Sequence, residues 1–305
     1  MTSVLYDVPG PKAVARNRAI GVATILVVLA IVGWVIWRFA DTGQFTADKW
    51  EIFTYSAIWV RLLNGMLATL SAFAVAAVGA LALGFILSIG RLSDHAWIRV
   101  PVGWVTEVLR AIPVLVFMML LYYGLPVIGV RMEPYWAVVI ALVAYNGSVL
   151  AEVIRAGVES LPRGQSEAGY AIGLRKAGVL RLILLPQAVR AMMPVIVAQL
   201  VVTLKDTALG SIITYQELLY VIKLLGSNAV YHSPLIPTAM VGGTIYVALC
   251  LALSYVAYRL EQRTKRRQRQ NAIIGGGVHH PVGATTDTEL IGLQKHAGKY
   301  DSNAL

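Results

Sequence analysis

The sequence has little of what redox proteins and metalloenzymes depend on. Its single cysteine, Cys250, lies inside an apolar stretch, so an intramolecular disulfide and a thiolate metal cluster are both excluded. Of its 5 histidines, His279 and His280 are adjacent and lack further ligands nearby, so no metal site is predicted. The G-x-x-x-x-G-K-[ST], H-E-x-x-H and C-x-x-C motifs are also missing. These absences argue against a chain that hydrolyses ATP or performs metal chemistry itself.

Charge is scarce as well, and apolar residues take its place. Only 14% of the 305 residues are charged, 57% are hydrophobic, and the mean hydropathy is +0.68. A soluble domain of this size would be less apolar, so the chain belongs in a lipid bilayer. The net charge of +10 comes from Lys and Arg at the ends of apolar segments, which indicates membrane topology and no nucleic-acid partner.

Six segments are long and apolar enough to cross a membrane, which takes about 20 residues each. None shows the alternation of a barrel strand, so all six are predicted to be helices. The first is longer than the core of a signal peptide and no cleavage pattern follows it, so it is expected to be retained. The predicted spans are 19–40, 63–90, 108–130, 135–157, 188–213 and 237–260.

Lys and Arg are concentrated in the N-terminal tail, in the loops after the second and fourth spans, and after the sixth span. The positive-inside rule therefore places both termini in the cytoplasm. Aromatic residues mixed with charges between the first two spans indicate an extracellular interfacial segment. The predicted layout is a tail over 1–18, an extra helix over 19–40, the interfacial segment over 41–62, a membrane domain over 63–260 and a disordered basic tail over 261–305. The basic start of that last tail is better explained as ordinary positive-inside flanking than as a site for anionic lipid.

The cytoplasmic loop over 160–186 is long and patterned. Ser166 is placed to cap a short helix, and Gly173 is placed to end it. Lys176 to Leu185 can form a second helix closed by Pro186. Periodicity leaves two interpretations open: a knob of small residues that docks in a groove of another protein, or an amphipathic pair on the inner membrane surface.

The spacing within this loop resembles a known family signature. Glu167-Ala168-Gly169-x3-Gly173, nine residues, and Ile183-x-Leu185-Pro186 are similar to the coupling-helix motif of permease subunits in bacterial ABC importers. The one departure is Gly169, where the family usually has alanine, and the small knob is expected to be intact. The resemblance implies that the residues contacting a separate ATPase are Arg163, Gly164, Glu167, Ala168, Gly169, Gly173 and Pro186.

Further motifs resemble the polar amino acid branch of these importers. They include Asn64-Gly65-x3-Thr69, Tyr145-Asn146 followed by Ala151-Glu152, and Leu204 to Leu209. In Arg110-Ala-Ile-Pro113, alanine and isoleucine replace the family's Gly-Thr. The first helix and the N-terminal head are similar to the second permease subunit of actinobacterial glutamate importers. The resemblance implies an all-α fold: a five-helix type I ABC importer core, an extra N-terminal helix and a cytoplasmic coupling helix.

The function implied by the resemblance is import of a polar amino acid across the bacterial plasma membrane by alternating access, with glutamate as the leading candidate. The implied partners are a second permease subunit, identical or different, two copies of a cytoplasmic ATPase that bind the ATP and Mg²⁺, an extracellular solute-binding lipoprotein, and membrane lipid. The alternatives are a glutamine or aspartate importer, an ion-coupled secondary transporter, for which no inverted repeat is visible, and a membrane enzyme.

Ionisable residues inside spans indicate where a substrate passes, because burying their charge in lipid is costly. Lys205 and Asp206 are neighbours on the fifth span, so their side chains diverge and each needs another partner. They contact substrate, or else they form structural pairs that hold the bundle or the permease dimer. The predicted substrate path comprises Arg110, Asn146, Gln199, Thr203, Lys205, Asp206 and Thr207, and Glu152 is a further candidate.

Overall fold

A computed structural model describes residues 10–274, and all regular structure within that range is helical. The head over 1–9, His279-His280 and the rest of the predicted tail lie outside the described residues. The helices are α1 Pro11–Asp41, α2 Ala47–Trp50, α3 Ser56–Arg91, α4 Ala96–Ala111, α5 Val114–Ile128, α6 Pro134–Glu159, α7 Arg163–Ala171, α8 Lys176–Ile213, α9 Leu218–Gly226 and α10 Leu235–Ile274, with short 3-10 turns at Glu51–Thr54 and Ala229–Tyr231.

The predicted all-α membrane architecture is confirmed. Among the described residues, 5 helices are long and apolar enough to span a bilayer: α1, α3, α6, α8 and the Leu235–Arg259 part of α10. The bent pair of α4 and α5 makes a sixth span if the two are counted together. The spans end close to the predicted positions, since apolar length and flanking charge determine where a helix leaves the bilayer. Helices α1, α3 and α8 begin earlier than predicted, at Pro11, Ser56 and Lys176 instead of 19, 63 and 188.

The third predicted span, 108–130, is wrong as a single straight helix. The chain bends by 94° between α4 and α5, and Ile112 at the break is extended, with φ −83° and ψ 119°. Pro113 causes this, because its ring disfavours a helical conformation in the preceding residue and it has no N–H to donate. The Arg110-to-Pro113 motif therefore sits on a corner.

Helices α3 and α6 form the largest helix contact and the centre of the core. Small residues let the two backbones approach: Ala72, Ala76 and Ala80 are fully buried on α3. At Gly84 a Cβ atom would lie 2.8 Å from Leu150 Cβ and 3.0 Å from the Gly147 carbonyl oxygen. This close approach stabilises the helix pair through van der Waals packing, because the hydrophobic driving force between helices is weak in lipid.

Gly84→Ala is expected to lower stability by about 1–3 kcal/mol, because the added methyl group meets backbone that cannot move aside. Gly103→Ala on α4 is the matched control, since nothing lies within 4 Å of its Cβ position. Thermal unfolding of both purified variants in detergent measures the difference. An unchanged melting temperature in Gly84→Ala would contradict the tight α3–α6 contact.

The N-terminal region differs from the prediction in its boundaries. Helix α1 begins at Pro11, inside the predicted tail, and its span is 0% buried, so it faces lipid or another chain. The interfacial segment holds α2 and a 3-10 turn, and Phe53 packs against Trp50 and Trp59 at 5.9 Å between ring centroids. Helix α3 begins at Ser56, because Trp59 and its neighbours extend the membrane helix outward into the interface.

The predicted start of the disordered tail, Glu261, is also too early in the sequence. Helix α10 continues from Leu235 to Ile274, past the predicted start of the tail at Glu261. The residues after Arg259 are rich in Glu, Gln, Lys and Arg, which have high helix propensity.

Candidate functional site

The helix that carries the coupling motif is α7. It begins at Arg163, directly after Pro162, which has the extended ψ of 135° and acts as its N-cap. The prediction that Ser166 caps this helix is wrong: the Ser166 hydroxyl donates instead to the Arg163 carbonyl oxygen at 2.7 Å, inside the helix. Proline at a helix start lacks only an N–H that would be unsatisfied anyway, so it competes well with a serine cap.

Gly173 ends α7, as the pattern predicts. Its φ of +82° is in the left-handed region, which glycine adopts without steric cost. The Gly173 N–H donates to the Tyr170 carbonyl oxygen at 2.9 Å, and the Leu174 N–H donates to that of Gly169 at 3.1 Å. This reversal folds the chain back into a helical hairpin with α8.

Pro186 does not close the second helix of the hairpin, contrary to the prediction. Helix α8 passes through it, changing from a wide π-helical segment at Val179–Leu184 to α-helix from Leu185. The wider turn before Pro186 leaves room for its ring and needs no N–H from it. The coupling segment is thus continuous with a membrane-spanning helix.

The two sides of α7 have different surroundings. Gly169 is buried, and a Cβ there would lie 2.8 Å from Val179 Cγ2 and 2.9 Å from Ile183 Cδ1. The expectation that Gly169 belongs to the exposed knob is therefore wrong, and its small size serves the hairpin contact. We call the opposite, exposed side the coupling surface. It comprises Arg163, Gly164, Glu167, Ala168, Ala171 and Ile172.

Ile172 makes the coupling surface unusual for a cytoplasmic one. Its side chain is 76% exposed although it is large and apolar. A large apolar side chain exposed on the helix that carries the coupling motif is available for contact with another protein or with the inner membrane surface.

The hairpin is attached to the membrane helices by polar contacts. Gln187 Nε2 on α8 donates to Gln165 Oε1 on α7 at 3.3 Å, and Lys176 forms an ion pair with Asp94, just before α4. These contacts connect α7 to α8 and connect the hairpin to the α3–α4 connection.

Arg110 lies at the same end of the bundle. It pairs with Glu107 at 3.3 Å and lines a cavity of about 470 Å³ with Tyr145 and Glu152. Arg91 on α3 bridges two helices, contacting Glu107 at 3.3 Å and Glu152 at 2.7 Å. This ion network joins α3, α4 and α6 where they meet the coupling segment. Sequence reasoning did not single out Glu107 or Arg91.

Asn146, Gln199 and Thr203 are brought together at the contact between α6 and α8. Gln199 Nε2 donates to Asn146 Oδ1 at 2.7 Å, Asn146 Nδ2 donates to the Leu142 carbonyl oxygen, and Thr203 bonds to the Gln199 carbonyl oxygen. Asn146 and Thr203 are fully buried in this single chain. Of these three hydrogen bonds, the one between Gln199 and Asn146 joins the two helices, and the other two lie within α6 and within α8.

The remaining path residues lie further along α8. Thr207 is buried, and its hydroxyl is 3.0 Å from that of Tyr246 on α10, a partner that sequence reasoning missed because it sits in an apolar span. Lys205 is exposed and Asp206 is partly buried. Within the described part of the chain neither forms an ion pair, so both remain open to a substrate or to another subunit.

Glu217 is another group that sequence reasoning missed. Although it follows a membrane span, it is fully buried. Its carboxylate caps α9 by accepting hydrogen bonds from the backbone N–H groups of Leu219 and Tyr220, both at 2.8 Å. Burial nevertheless raises the pKa of Glu217 to about 7.

Comparison with known proteins identifies the class that this fold and coupling segment define. Residues 80–266 match the family of binding-protein-dependent transport system inner membrane components. The chain is 36% identical over 240 residues to the glutamate transport system permease protein GluD of Corynebacterium glutamicum, covering 77% of this chain and 86% of that protein. It is 32% identical over 220 residues to the glutamine transport system permease protein GlnP of Escherichia coli K12, covering 70% and 98%.

A crystal structure of an amino acid ABC transporter with histidines superposes with a TM-score of 0.63 at 26% identity, covering 72% of this chain and all of that one. The chain therefore belongs to the family of binding-protein-dependent transport system inner membrane components, and the resemblance in its motifs is confirmed. Its relatives include permeases for several polar amino acids.

Proposed function

We propose that this chain is the transmembrane permease subunit of an ATP-driven importer that moves a polar amino acid into the cell by alternating access. Glutamate is the leading candidate substrate. The observation that carries the proposal is the coupling surface: an exposed patch on a short helix whose other side packs against α8. Similarity to glutamate and glutamine permeases supports the class of cargo.

The proposed cycle depends on separate partners. Two copies of a cytoplasmic ATPase bind ATP and Mg²⁺ and receive α7 in a groove, a second permease subunit completes the pathway, and an extracellular solute-binding lipoprotein delivers the amino acid. When the ATPases close, the hairpin moves as one body because Gly169 is locked against Val179 and Ile183. Helix α8 carries this motion to Lys205 and Asp206 near its other end.

The proposed location is the bacterial plasma membrane with both termini in the cytoplasm. The basic residues at the start of α1, between α3 and α4, and in the hairpin then lie on one side, as the positive-inside rule requires. This orientation also puts the coupling surface where ATP is available.

Competition between substrates tests the proposed cargo. In proteoliposomes containing the chain with its partner subunits, unlabelled glutamate is expected to displace labelled glutamate at lower concentration than glutamine or aspartate. Arginine serves as the control with the opposite side-chain charge. If glutamine competed at the lowest concentration, the chain would be assigned to glutamine import instead.

A further inference from the structure

A cavity of about 600 Å³ opens at the end of the bundle opposite the coupling surface. It lies between the starts of α3 and α6 and the helix α9, which the positive-inside rule assigns to the outer side. We call it the outer cavity. Its polar lining is formed by Arg61, Asn64, Glu133, Tyr135, Gln216 and Tyr220. Its volume falls in the range of about 300–1,000 Å³ typical of small-molecule sites.

The outer cavity contains one group of each charge, and neither is used by the fold. Among the residues that the structure describes, Arg61 and Glu133 form no ion pair with each other or with any other group. Glu133 precedes α6 as its N-cap residue, but its side chain makes no capping hydrogen bond. A guanidinium and a carboxylate are therefore both available to a ligand inside the same cavity.

The walls of the outer cavity are held in place by contacts between distant parts of the chain. The Tyr215 hydroxyl donates to the Ala68 carbonyl oxygen at 2.7 Å, and the Tyr215 and Tyr135 rings are 5.9 Å apart. Beneath the cavity, the Leu218 N–H donates to Thr69 Oγ1 at 3.1 Å. With such fixed walls, ligand binding needs to order mainly the exposed side chains of Arg61 and Glu133.

Helix α9 also packs tightly against α3. A Cβ atom at Gly65 would lie 2.9 Å from Val221 Cγ2 and 3.1 Å from Leu218 Cα. Tyr220, which lines the cavity, is held in turn by the Glu217 cap on its backbone N–H. The cavity is thus built into the packing of the domain.

These features match the main-chain groups of a free α-amino acid. Its carboxylate suits a guanidinium, which can donate two parallel hydrogen bonds, and its ammonium suits a carboxylate. The amides of Asn64 and Gln216 offer donors and acceptors to a polar side chain. One positive and one negative group leave the lining neutral, as a zwitterion requires.

We infer that the outer cavity is a second, outward-facing binding site for zwitterionic α-amino acids, in which Arg61 holds the α-carboxylate and Glu133 holds the α-ammonium. The site recognises the main-chain groups and accepts side chains of different charge. It is separate from Asn146, Gln199 and Lys205 further along the bundle. The inference rests on the proposed function for its choice of amino acids as ligands.

Equilibrium binding to the full chain, assembled with its partner subunits in nanodiscs without ATP or binding protein, tests the inference. The probes are L-glutamate, 4-aminobutyrate, which lacks the α-carboxylate, and glutarate, which lacks the α-ammonium. Arg61→Gln is expected to weaken L-glutamate binding about tenfold and to remove the preference over 4-aminobutyrate. Glu133→Gln is expected to remove the preference over glutarate. Arg131→Gln, which changes an exposed arginine outside the cavity lining, should leave all three affinities unchanged.

Preferences that survive in both cavity variants would overturn the inference. It would also be overturned if the variants weakened docking of the empty binding protein and left L-glutamate affinity intact, because the cavity would then be a protein contact. ATP-driven uptake, measured in parallel, judges the proposed function separately. Uptake together with L-glutamate binding that does not depend on Arg61 would overturn only the second site, and binding that depends on Arg61 without ATP-driven uptake would overturn only the importer.

Discussion

Replacing Glu167 by lysine is expected to uncouple ATP hydrolysis from amino acid uptake. Glu167 is an exposed carboxylate of the coupling surface, in the middle of α7. Reversing its charge places an ammonium group where the proposed interface receives a carboxylate, a change that costs about 2 kcal/mol or more at the centre of an interface. Uptake in proteoliposomes should fall at least about tenfold, while the subunit still inserts and purifies normally.

Asp48→Lys is the matched control for this charge reversal. Asp48 is an exposed carboxylate on α2, at the opposite end of the bundle. The uptake rate of Asp48→Lys should therefore equal that of the unaltered chain. Tightly coupled transport in Glu167→Lys would remove the coupling surface from the mechanism. Loss of insertion in Glu167→Lys would show that the residue serves folding, and Glu167→Gln would then be expected to restore insertion but not coupling.

Replacing Lys205 by methionine is expected to reduce uptake of acidic amino acids strongly. Methionine preserves the length and apolar stem of the side chain and removes only the ammonium group. A charge-assisted hydrogen bond from Lys205 to a substrate carboxylate is worth about 1.5–3 kcal/mol, so uptake of glutamate at subsaturating concentration should fall about tenfold to a hundredfold. Initial rates of labelled uptake measure the effect.

Two comparisons separate a substrate contact from a structural pair at Lys205. Lys12→Met, at the exposed start of α1, should leave uptake unchanged. If Lys205 binds substrate, Lys205→Met should keep the ATPase activity of the assembled complex and its melting temperature. A lower melting temperature or dissociation of the permease dimer would assign Lys205 to a structural pair with the other subunit.

The sequence was sufficient to predict the class of fold because apolar length and flanking charge determine where helices cross a bilayer. It could not predict how proline acts in each place. Pro113 bends the chain by 94°, whereas Pro186 lies within a continuous helix. The difference comes from the π-helical segment before Pro186, which depends on tertiary packing and has no local signature.

In the coupling segment too, the sequence predicted the local features and could not predict the contacts that depend on tertiary packing. The motif spacing located α7 and its end at Gly173, because a left-handed residue after a helix is a local requirement. The direction in which Gly169 points could not be predicted, since it follows from contact with Val179 and Ile183 on the returning helix. In the same way, the Asn146–Gln199 hydrogen bond joins residues far apart in sequence, and only the packing of α6 on α8 reveals it.

The central proposal is that a separate ATPase drives this chain through α7. Its most direct test is labelled glutamate uptake into proteoliposomes containing the chain, its partner ATPase and the binding protein. We expect uptake that requires ATP and the ATPase, continues when ion gradients are collapsed, and stops in Glu167→Lys. Uptake that persists without ATP and follows an imposed ion gradient would contradict the account and identify a secondary transporter.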